Sequence, residues 1–350
     1  MPNKSPLELD LRQLSKALVD RQWTAREVAE ASISRIEALD RDLHAFCTLD
    51  ETAIAQAEDI DRRLAAGLPV GPLAGVPVAV KDLICTRGLR TTFGSRLYDD
   101  FVPDQDDIVV ERLRAADAVI VGKTNASEFG YGAVGHNHVF PTTRNPWNTA
   151  LTPGGSSAGS AAAIAARMVP LALGSDGGGS IRIPASLSGI FGMKPSWGRV
   201  PLYPGCRDVR YPGQSSWESL EHIGPLSRNA ADAALALSVI SGPTPYDRHS
   251  IPSEASDWAL DGMEAMKDVR IAYTHDLGFA SVDPEVSAVF ENTVRQLEKL
   301  IGTIDCAYPA VGNTEGLLDT LVARSGWRAG LYVQDEWALA ANWGATLGLR

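Results

Sequence analysis

The sequence predicts an α/β protein of three layers, α/β/α, in which helices cover both faces of a central mixed β-sheet. Short apolar segments rich in β-branched residues alternate with longer segments of helical periodicity, which is the main observation behind this prediction. No internal repeat or low-complexity linker divides the 350 residues. We therefore expect residues 1–350 to form one large domain rather than two independent ones.

Residues 1–70 are typical of helices. Thr24-Ala25-Arg26-Glu27 has the form of a capping box and precedes apolar residues at helical spacing. A further helix is indicated over residues 53–64, before a glycine and a proline. We expect this part of the chain to be a helical layer without catalytic residues.

The pattern changes at Gly71, where strands begin to alternate with helices. Apolar strands are predicted over 75–82, 118–121 and 169–173, and helices over 108–116 and 157–167. Beyond residue 230 the sequence indicates a strand over 269–272, a helix over 284–300 and a helical tail over 314–350. Residues 71–230 thus form the predicted core, and 231–350 the C-terminal portion.

Composition excludes several classes of protein. The net charge of −11 and the pI of about 5.1 argue against attraction to phosphate, so we expect no nucleic-acid partner. The four cysteines form no metal-ligand spacing, and neither a signal peptide nor a membrane-spanning segment is evident. These features predict a cytoplasmic protein without a membrane or metal site.

A glycine-rich segment, Gly174 to Ala185, contains three consecutive glycines followed by Ser180. Such a run costs conformational entropy on folding and becomes useful where several backbone N–H groups must approach an anion. A serine placed directly after it could attack a carbonyl while the amides stabilise the oxyanion. A flexible turn or a phosphate-binding loop is compatible with the same residues.

A second Gly/Ser segment, Thr152 to Ser160, formally contains the G-x-S-x-G pattern of a nucleophile elbow. The elbow requires a strand before the serine, whereas Asn145 to Thr149 and Pro153 are typical of turns. A helix follows, but the predicted strand is missing. The pattern therefore does not indicate an elbow.

A serine nucleophile needs a base, and none of the six histidines lies in a sequence setting that marks it as one. A lysine can serve when burial lowers its pKa. Lys81, at the end of the predicted strand 75–82, is the best-placed candidate. The chain has no S-x-x-K motif, which argues against a site of the penicillin-binding type.

Together these segments resemble the amidase signature family. The resemblance runs almost continuously from Gly71 to Pro201 and extends through residues 219–228. It rests on several long motifs in the family's order: GPLAGVPVAVKD at 71–82, GKTN at 122–125, RNPW at 144–147, the two Gly/Ser segments, and GMKPS at 192–196. It implies the amidase signature fold and hydrolysis of a carboxylic amide without a metal or organic cofactor.

The resemblance assigns a role to each matching residue. Ser180 would be the nucleophile, Ser156 a bridging serine that family members hold across a cis peptide bond, and Lys81 the acid and base. The oxyanion hole would comprise Gly177, Gly178, Gly179 and Ser180, and the supporting residues would be Ser157, Asp176 and Arg182. Side chains that could line a substrate pocket are Asn125, Ser127, Glu128, Phe129, Tyr131 and Trp197.

The substrate predicted from this resemblance is a small-molecule amide, and a homodimer is compatible with the sequence. One alternative is the glutaminase (A) subunit of a glutamyl/aspartyl-tRNA amidotransferase, in which the position of Ile183 is typically glutamine. Family members usually continue well beyond 350 residues, so residues 231–350 are expected to be an incomplete C-terminal portion. A truncated or inactive non-enzymatic paralogue is the alternative of another class.

Overall fold

The computed structural model describes residues 5–210, 220–252, 271–278, 280–301 and 304–307, and the backbone of 329–331 and 347–349. The chain divides into two compact units, one holding the residues up to Ala259 and a smaller one holding most of those from Leu260 onward. That residues 1–350 form a single domain stays a prediction.

The larger unit contains a six-stranded sheet and seven α-helices among the described residues. In chain order the elements are α1 (Leu11–Val19), α2 (Ala25–Leu43), β1 (Phe46–Leu49), α3 (Ala53–Ala65), β2 (Pro77–Lys81), α4 (Ile108–Ala115), β3 (Val119–Thr124), α5 (Ala158–Ala165), β4 (Leu171–Asp176), α6 (Arg182–Ser188), β5 (Phe191–Gly192), β6 (His222–Ser227) and α7 (Ala230–Ile240). None of the helices in the described part of the chain is both long and apolar enough to cross a membrane.

The strand order of the sheet is β1-β3-β2-β4-β6-β5. Strands β3, β2 and β4 run parallel and occupy the centre, while β1 on one side and β6 and β5 on the other are antiparallel to their neighbours. Every residue of β2, β3 and β4 is buried, as expected of parallel strands covered on both faces. Helix α5 packs on the central strands, α2 and α3 pack on β3, and α7 packs on β6. The predicted three-layer arrangement with a mixed sheet is confirmed.

The N-terminal segment is helical with one exception. The predicted capping box is confirmed, because Thr24 accepts a hydrogen bond from the Glu27 N–H and the Glu27 carboxylate accepts one from the Thr24 N–H. The prediction of helices alone over residues 1–70 is wrong at Phe46–Leu49, which forms edge strand β1 paired with β3. Four residues between two long helices are too few to show a strand period, and His44 ends α2 in the left-handed conformation that redirects the chain.

The other predicted elements of the core lie within a few residues of those observed. The ends of β3 and β4 differ most, since these strands continue to Thr124 and Asp176 instead of ending near Val121 and Leu173. The pairing of β4 with β6 extends to Asp176. This extension brings Ser175 and Asp176 onto the end of a buried strand.

The smaller unit contains β7 (Ile271–Tyr273), α8 (Pro284–Ile301), β8 (Ile304–Cys306), β9 (Ala329–Leu331) and β10 (Leu347–Leu349). Strands β7 and β8 are parallel, and β9 and β10 are antiparallel. The predicted helix over 284–300 is confirmed. Of the predicted helical tail over 314–350, the six residues of β9 and β10 are strands, so the prediction is wrong there, and the rest lies outside the described residues.

Helix α5 approaches the sheet closely because Gly159 has no side chain. A Cβ atom at this position would overlap the Ala45 carbonyl oxygen and lie 2.5 Å from the Asn125 nitrogen, both of them backbone atoms. The Gly159 N–H also donates to the Asn125 carbonyl oxygen at 2.9 Å. The helix that follows Ser156 and Ser157 is thereby fixed against the end of β3.

We therefore expect Gly159→Ala to lower the free energy of unfolding by about 3 kcal/mol, because backbone atoms must move to admit the methyl group. Gly67→Asn is the control, since Gly67 has open space around it and asparagine tolerates its left-handed conformation, with a loss of about 0.5 kcal/mol or less. Urea denaturation measures both. Similar losses in the two variants would contradict close packing at Gly159.

Candidate functional site

The Lys81 side chain is fully buried at the carboxyl end of β2. Its Nζ atom lies 2.7 Å from Ser156 Oγ, 3.0 Å from Ser175 Oγ and 3.2 Å from the Ser175 carbonyl oxygen. Since β4 neighbours β2 in the sheet, the end of β4 supplies Ser175 directly. A neutral amine has two hydrogens and one lone pair, so it can donate twice to Ser175 and accept from Ser156.

Burial lowers the pKa of Lys81 to about 8, and the negative charges of Glu221 and Asp176 oppose this shift. Taking the ammonium group out of water disfavours its charged form. With a pKa of about 8, roughly one Lys81 side chain in ten is neutral at pH 7. The group can therefore exchange a proton near neutral pH.

Ser156 and Ser157 lie between the preceding loop and α5. The Gly155–Ser156 peptide bond is cis. The Ser157 N–H donates to the Ser180 carbonyl oxygen at 3.2 Å, which brings the glycine-rich turn next to Ser156. The Ser157 hydroxyl donates to the Ser175 carbonyl oxygen and accepts from the Ser175 N–H. Residues 149–157 contain no strand, so a strand–turn–helix elbow is absent here as the sequence indicated.

The carboxylate of Asp176 organises the glycine-rich turn. It accepts hydrogen bonds from the N–H groups of Gly179 at 2.8 Å and Ile181 at 3.1 Å, and from the Arg182 guanidinium at 2.9 and 3.0 Å. Burial alone would raise the pKa of Asp176, but the bonds and charge of Arg182 and the backbone donors hold it below its usual value. The turn therefore closes around a permanent negative charge.

Asp176 also determines which amides of the turn remain available. The Gly179 N–H is occupied by the carboxylate. Within the described part of the chain, the N–H groups of Gly177, Gly178 and Ser180 have no acceptor. Gly178 is exposed, and a Cβ added there would meet open space. Three of the four predicted oxyanion-hole donors thus have no acceptor among the described residues, and the fourth supports the turn.

The residues predicted to line a substrate pocket have different environments. The side chain of Asn125 is buried and bonded to Pro141, Thr143, Ala126 and Asn137, which is a structural network. Phe129 packs on Phe93, Tyr131 is 63% exposed, and Glu128 is partly exposed. Trp197 lines a cavity of about 240 Å³ together with residues that include Tyr203 and His249.

Ser127 shapes a loop that reaches the Gly155–Ser156 segment. Its hydroxyl oxygen lies 3.0 Å from the Gly132 carbonyl oxygen and 2.5 Å from the Val134 carbonyl oxygen, and these two acceptors share its single hydrogen. The backbone of Val134 then lies so close to Gly155 that an added Cβ would come within 2.6 Å of it. Ser127 thus acts on the site indirectly, because it holds the Val134 backbone that lies against Gly155.

Sequence reasoning missed two residues of the site. Ser175 contacts Lys81 Nζ with both its hydroxyl and its carbonyl oxygen. Glu221, just before β6, is the carboxylate with the strongest effect on the pKa of Lys81. Ser175 could have been noticed as the residue before Asp176 in the glycine-rich segment, whereas no local signal marks Glu221.

Among the described residues, no histidine contacts a serine of this site as Lys81 contacts Ser156, and no metal-ligand cluster is present. His222, the histidine nearest to Asp176, directs Nδ1 towards the carbonyl oxygens of Asp176 and Leu220. Burial lowers its pKa. No group of three or more His, Cys, Asp or Glu side chains within the described ranges converges as metal ligands.

Comparison with known proteins places residues 27–324 in the family described as Amidase. The A subunit of a glutamyl-tRNA(Gln) amidotransferase from a Cyanothece species is 41% identical over 83% of this chain and 59% of that protein. A bacterial aryl acylamidase of the amidase signature family has a similar fold, with a TM-score of 0.77 and 30% identity over 89% of this chain and 63% of that one.

The peptide amidase of Stenotrophomonas maltophilia is also similar, with a TM-score of 0.77 and 29% identity. That alignment covers 86% of this chain and 62% of the peptide amidase. The chain thus spans about three fifths of the length of the proteins that it matches, 59% for the Cyanothece protein.

Asp176→Asn removes one partner of a buried ion pair. We expect the free energy of unfolding at pH 7 to fall by about 3 kcal/mol, because the Arg182 side chain, 23% exposed, would keep its charge without the carboxylate. Asp20→Asn is the control, since the exposed pair of Asp20 with Lys16 contributes about 0.5 kcal/mol or less. Equal losses in urea denaturation would show that Asp176 does not organise the turn.

Proposed function

Because this chain belongs to the amidase signature family, we propose that it hydrolyses the C–N bond of a carboxylic amide through an acyl-enzyme on Ser180. The observation that carries this proposal is the buried contact of 2.7 Å between Lys81 Nζ and Ser156 Oγ, beside the turn that bears Ser180. A lysine with a pKa of about 8 is suited to act as a base near neutral pH. We propose a small amide as the substrate.

Proton transfer begins at the neutral amine. Ser156 donates its hydroxyl proton to the lone pair of Lys81 Nζ and receives the hydroxyl proton of Ser180. The two N–H groups of the amine donate to Ser175, so its lone pair is directed at Ser156. Ser175 is therefore a positioning residue in this scheme.

The Ser180 oxygen then forms a bond to the amide carbonyl carbon, and the carbonyl π electrons move to its oxygen. The N–H groups of Gly177, Gly178 and Ser180, which have no acceptor in the described part of the chain, are the proposed donors for this oxyanion. The Gly179 N–H donates to the Asp176 carboxylate instead and stabilises the conformation of the turn.

Collapse of the tetrahedral intermediate breaks the C–N bond. The proton held by Lys81 returns through Ser156 to the leaving nitrogen, which departs as ammonia or an amine. Water then attacks the ester of Ser180 with the same relay as general base, and the carboxylic acid is released. The protons balance within each half-reaction, and no cofactor is needed.

A second candidate is the glutaminase reaction of an amidotransferase A subunit. It is favoured by the 41% identity to the Cyanothece protein. Against it, Ile183 stands where glutamine is typical of such proteins, and its Cδ1 atom would lie 2.7 Å from a Cβ at Gly179. An apolar side chain therefore covers this part of the turn. Release of ammonia from glutamine in preference to small aliphatic or aryl amides would favour the second candidate.

Ser180→Ala should abolish both hydrolysis of the amide and labelling by a fluorophosphonate probe, since the attacking oxygen is removed. Ser186→Ala, the same change on helix α6, should retain labelling and hydrolysis within about twofold. Mass spectrometry of the labelled peptide identifies the modified serine. Hydrolysis that persists in a folded Ser180→Ala variant would refute the assignment of the nucleophile.

The pH dependence should follow the protonation of Lys81. Since the neutral amine is the active form and its pKa is about 8, kcat/KM should rise with pH and level off above about 8. Lys81→Ala should abolish this rise of kcat/KM with pH, and it should lower kcat/KM at neutral pH more than about tenfold. Initial rates across the pH range measure both, and a wild-type profile that is flat around pH 8 would contradict the role of Lys81 as base.

A further inference from the structure

The three residues that follow Ser180 direct their side chains to different places. Ile181 is fully buried and packs against β5 and β6. Arg182 donates to the Asp176 carboxylate. Ile183 is only partly buried and carries no polar side-chain atom, so it is the apolar side chain of these three that remains accessible.

Ile183 lies in the helical turn that includes Ser180. Its N–H donates to the Gly179 carbonyl oxygen at 2.7 Å, and this bond encloses residues 180–182. A Cβ atom at Gly179 would lie 2.7 Å from Ile183 Cδ1 and 3.0 Å from its Cγ1. Because side chains three residues apart in a helical turn share a face, Ile183 lies beside the Ser180 side chain. Both residues are partly exposed, so one ligand can reach both.

The proton relay determines which part of an amide faces Ile183. Ser156 returns a proton to the leaving nitrogen, so this nitrogen is directed towards Ser156. The carbonyl oxygen is directed towards the amides of the glycine-rich turn. The remaining substituent of the carbonyl carbon is the acyl chain, which therefore points away from Ser156.

The segment before Ser156 has a different neighbour on α6. A Cβ atom at Gly154 would lie 2.9 Å from Pro184 Cα. Pro184 and Ile183 are adjacent in the helix, so their side chains diverge by about 100°. The contact of Ile183 is with Gly179, which places its side chain on the acyl side of the nucleophile.

An apolar side chain at this place favours an apolar acyl chain. Contact between an alkyl group and the methyl groups of Ile183 removes apolar surface of both from water. A polar group in the same position would give up hydrogen bonds to water, and Ile183 offers it no donor or acceptor in exchange.

We propose that Ile183 is a specificity-determining residue that selects amides with an apolar acyl chain over amides whose chain ends in a polar group. The proposal rests on the hydrolytic function proposed for Ser180, because it concerns the substrate of the same site. The glycine-rich turn holds the carbonyl oxygen, and Ile183 contacts the carbon chain next to it.

The test compares two primary amides of the same shape, 5-methylhexanamide and glutaramide, in which an isopropyl group and a second carboxamide occupy the same position. Both release ammonia, whose formation by the full chain gives kcat/KM per amide group. The variants are Ile183→Gln, which is polar, and Ile183→Leu, which stays apolar. Ile33→Gln, at a partly buried isoleucine of α2, is the matched control.

The wild-type chain should prefer 5-methylhexanamide by about tenfold or more in kcat/KM, since a small difference in apolar contact has an effect of this size. Ile183→Gln should lower this preference about tenfold, and Ile183→Leu should keep it within about threefold. Ile33→Gln should leave it within about twofold. The ratio of two substrates on one preparation cancels any loss of folded enzyme, so a merely structural effect does not move it.

A wild-type chain that does not prefer 5-methylhexanamide, or a preference that Ile183→Gln leaves unchanged, would overturn the proposal. If Ile183→Gln does not fold, Ile183→Thr, which keeps the β-branched shape, replaces it under the same criterion.

Boronic acids separate this proposal from the hydrolytic function. 4-Methylpentylboronic acid and 3-carbamoylpropylboronic acid carry the same two chains and bind a serine nucleophile without turnover. Calorimetry should show about tenfold tighter binding of the first, and Ser180→Ala should weaken both. Labelling of Ser180 by fluorophosphonate without a preference between the boronic acids refutes the role of Ile183 alone. Absence of both labelling and Ser180-dependent binding refutes the hydrolytic function, and with it this proposal.

Discussion

The burial of Lys81 is the constraint on which the site depends. A lysine side chain with no solvent contact is tolerated when it is neutral or when its charge is fully compensated. Here β2 lies between β3 and β4, and this position determines two of the three partners of Lys81 Nζ. The end of β4 supplies them as the hydroxyl and the carbonyl oxygen of Ser175. The third partner, Ser156, comes from outside the sheet. The sheet thus orients the amine, and the loop before α5 gives it a proton donor.

A second buried lysine shows why burial alone does not identify a base. Lys123 lies near the end of β3, and burial lowers its pKa as it does that of Lys81. Its Nζ atom, however, donates to the Ile84 carbonyl oxygen and to the hydroxyls of Thr86 and Thr91. These acceptors belong to the segment after β2, so Lys123 holds that segment in place. The two lysines differ in that Lys81 contacts Ser156, whose neighbour Ser157 donates its N–H to the Ser180 carbonyl oxygen of the glycine-rich turn.

The sequence predicts well those features that depend on short segments. Strands β2, β3 and β4, helices α4 and α5, the capping box at Thr24 and the candidates Lys81, Ser156 and Ser180 follow from local patterns or contiguous motifs. Strand β1 was missed because four residues show no clear period, and Glu221 because its effect on Lys81 arises from the pairing of β4 with β6. Contacts between residues far apart in the chain depend on strand order, which local patterns do not specify.

The three consecutive glycines illustrate the same limit at a single turn. Together with Ser180 they suggest four equivalent amide donors, yet Gly178 and Gly179 have different surroundings in the structure. Gly179 has a positive φ of 113°, faces Ile183 and donates to Asp176, so it shapes the turn. Gly178 faces open space, since an added Cβ there would have no atom within 4 Å. Because Asp176 is buried and paired with Arg182, its carboxylate remains charged and keeps the Gly179 amide. The interaction that occupies the Gly179 amide therefore orders a turn whose other N–H groups have no acceptor among the described residues.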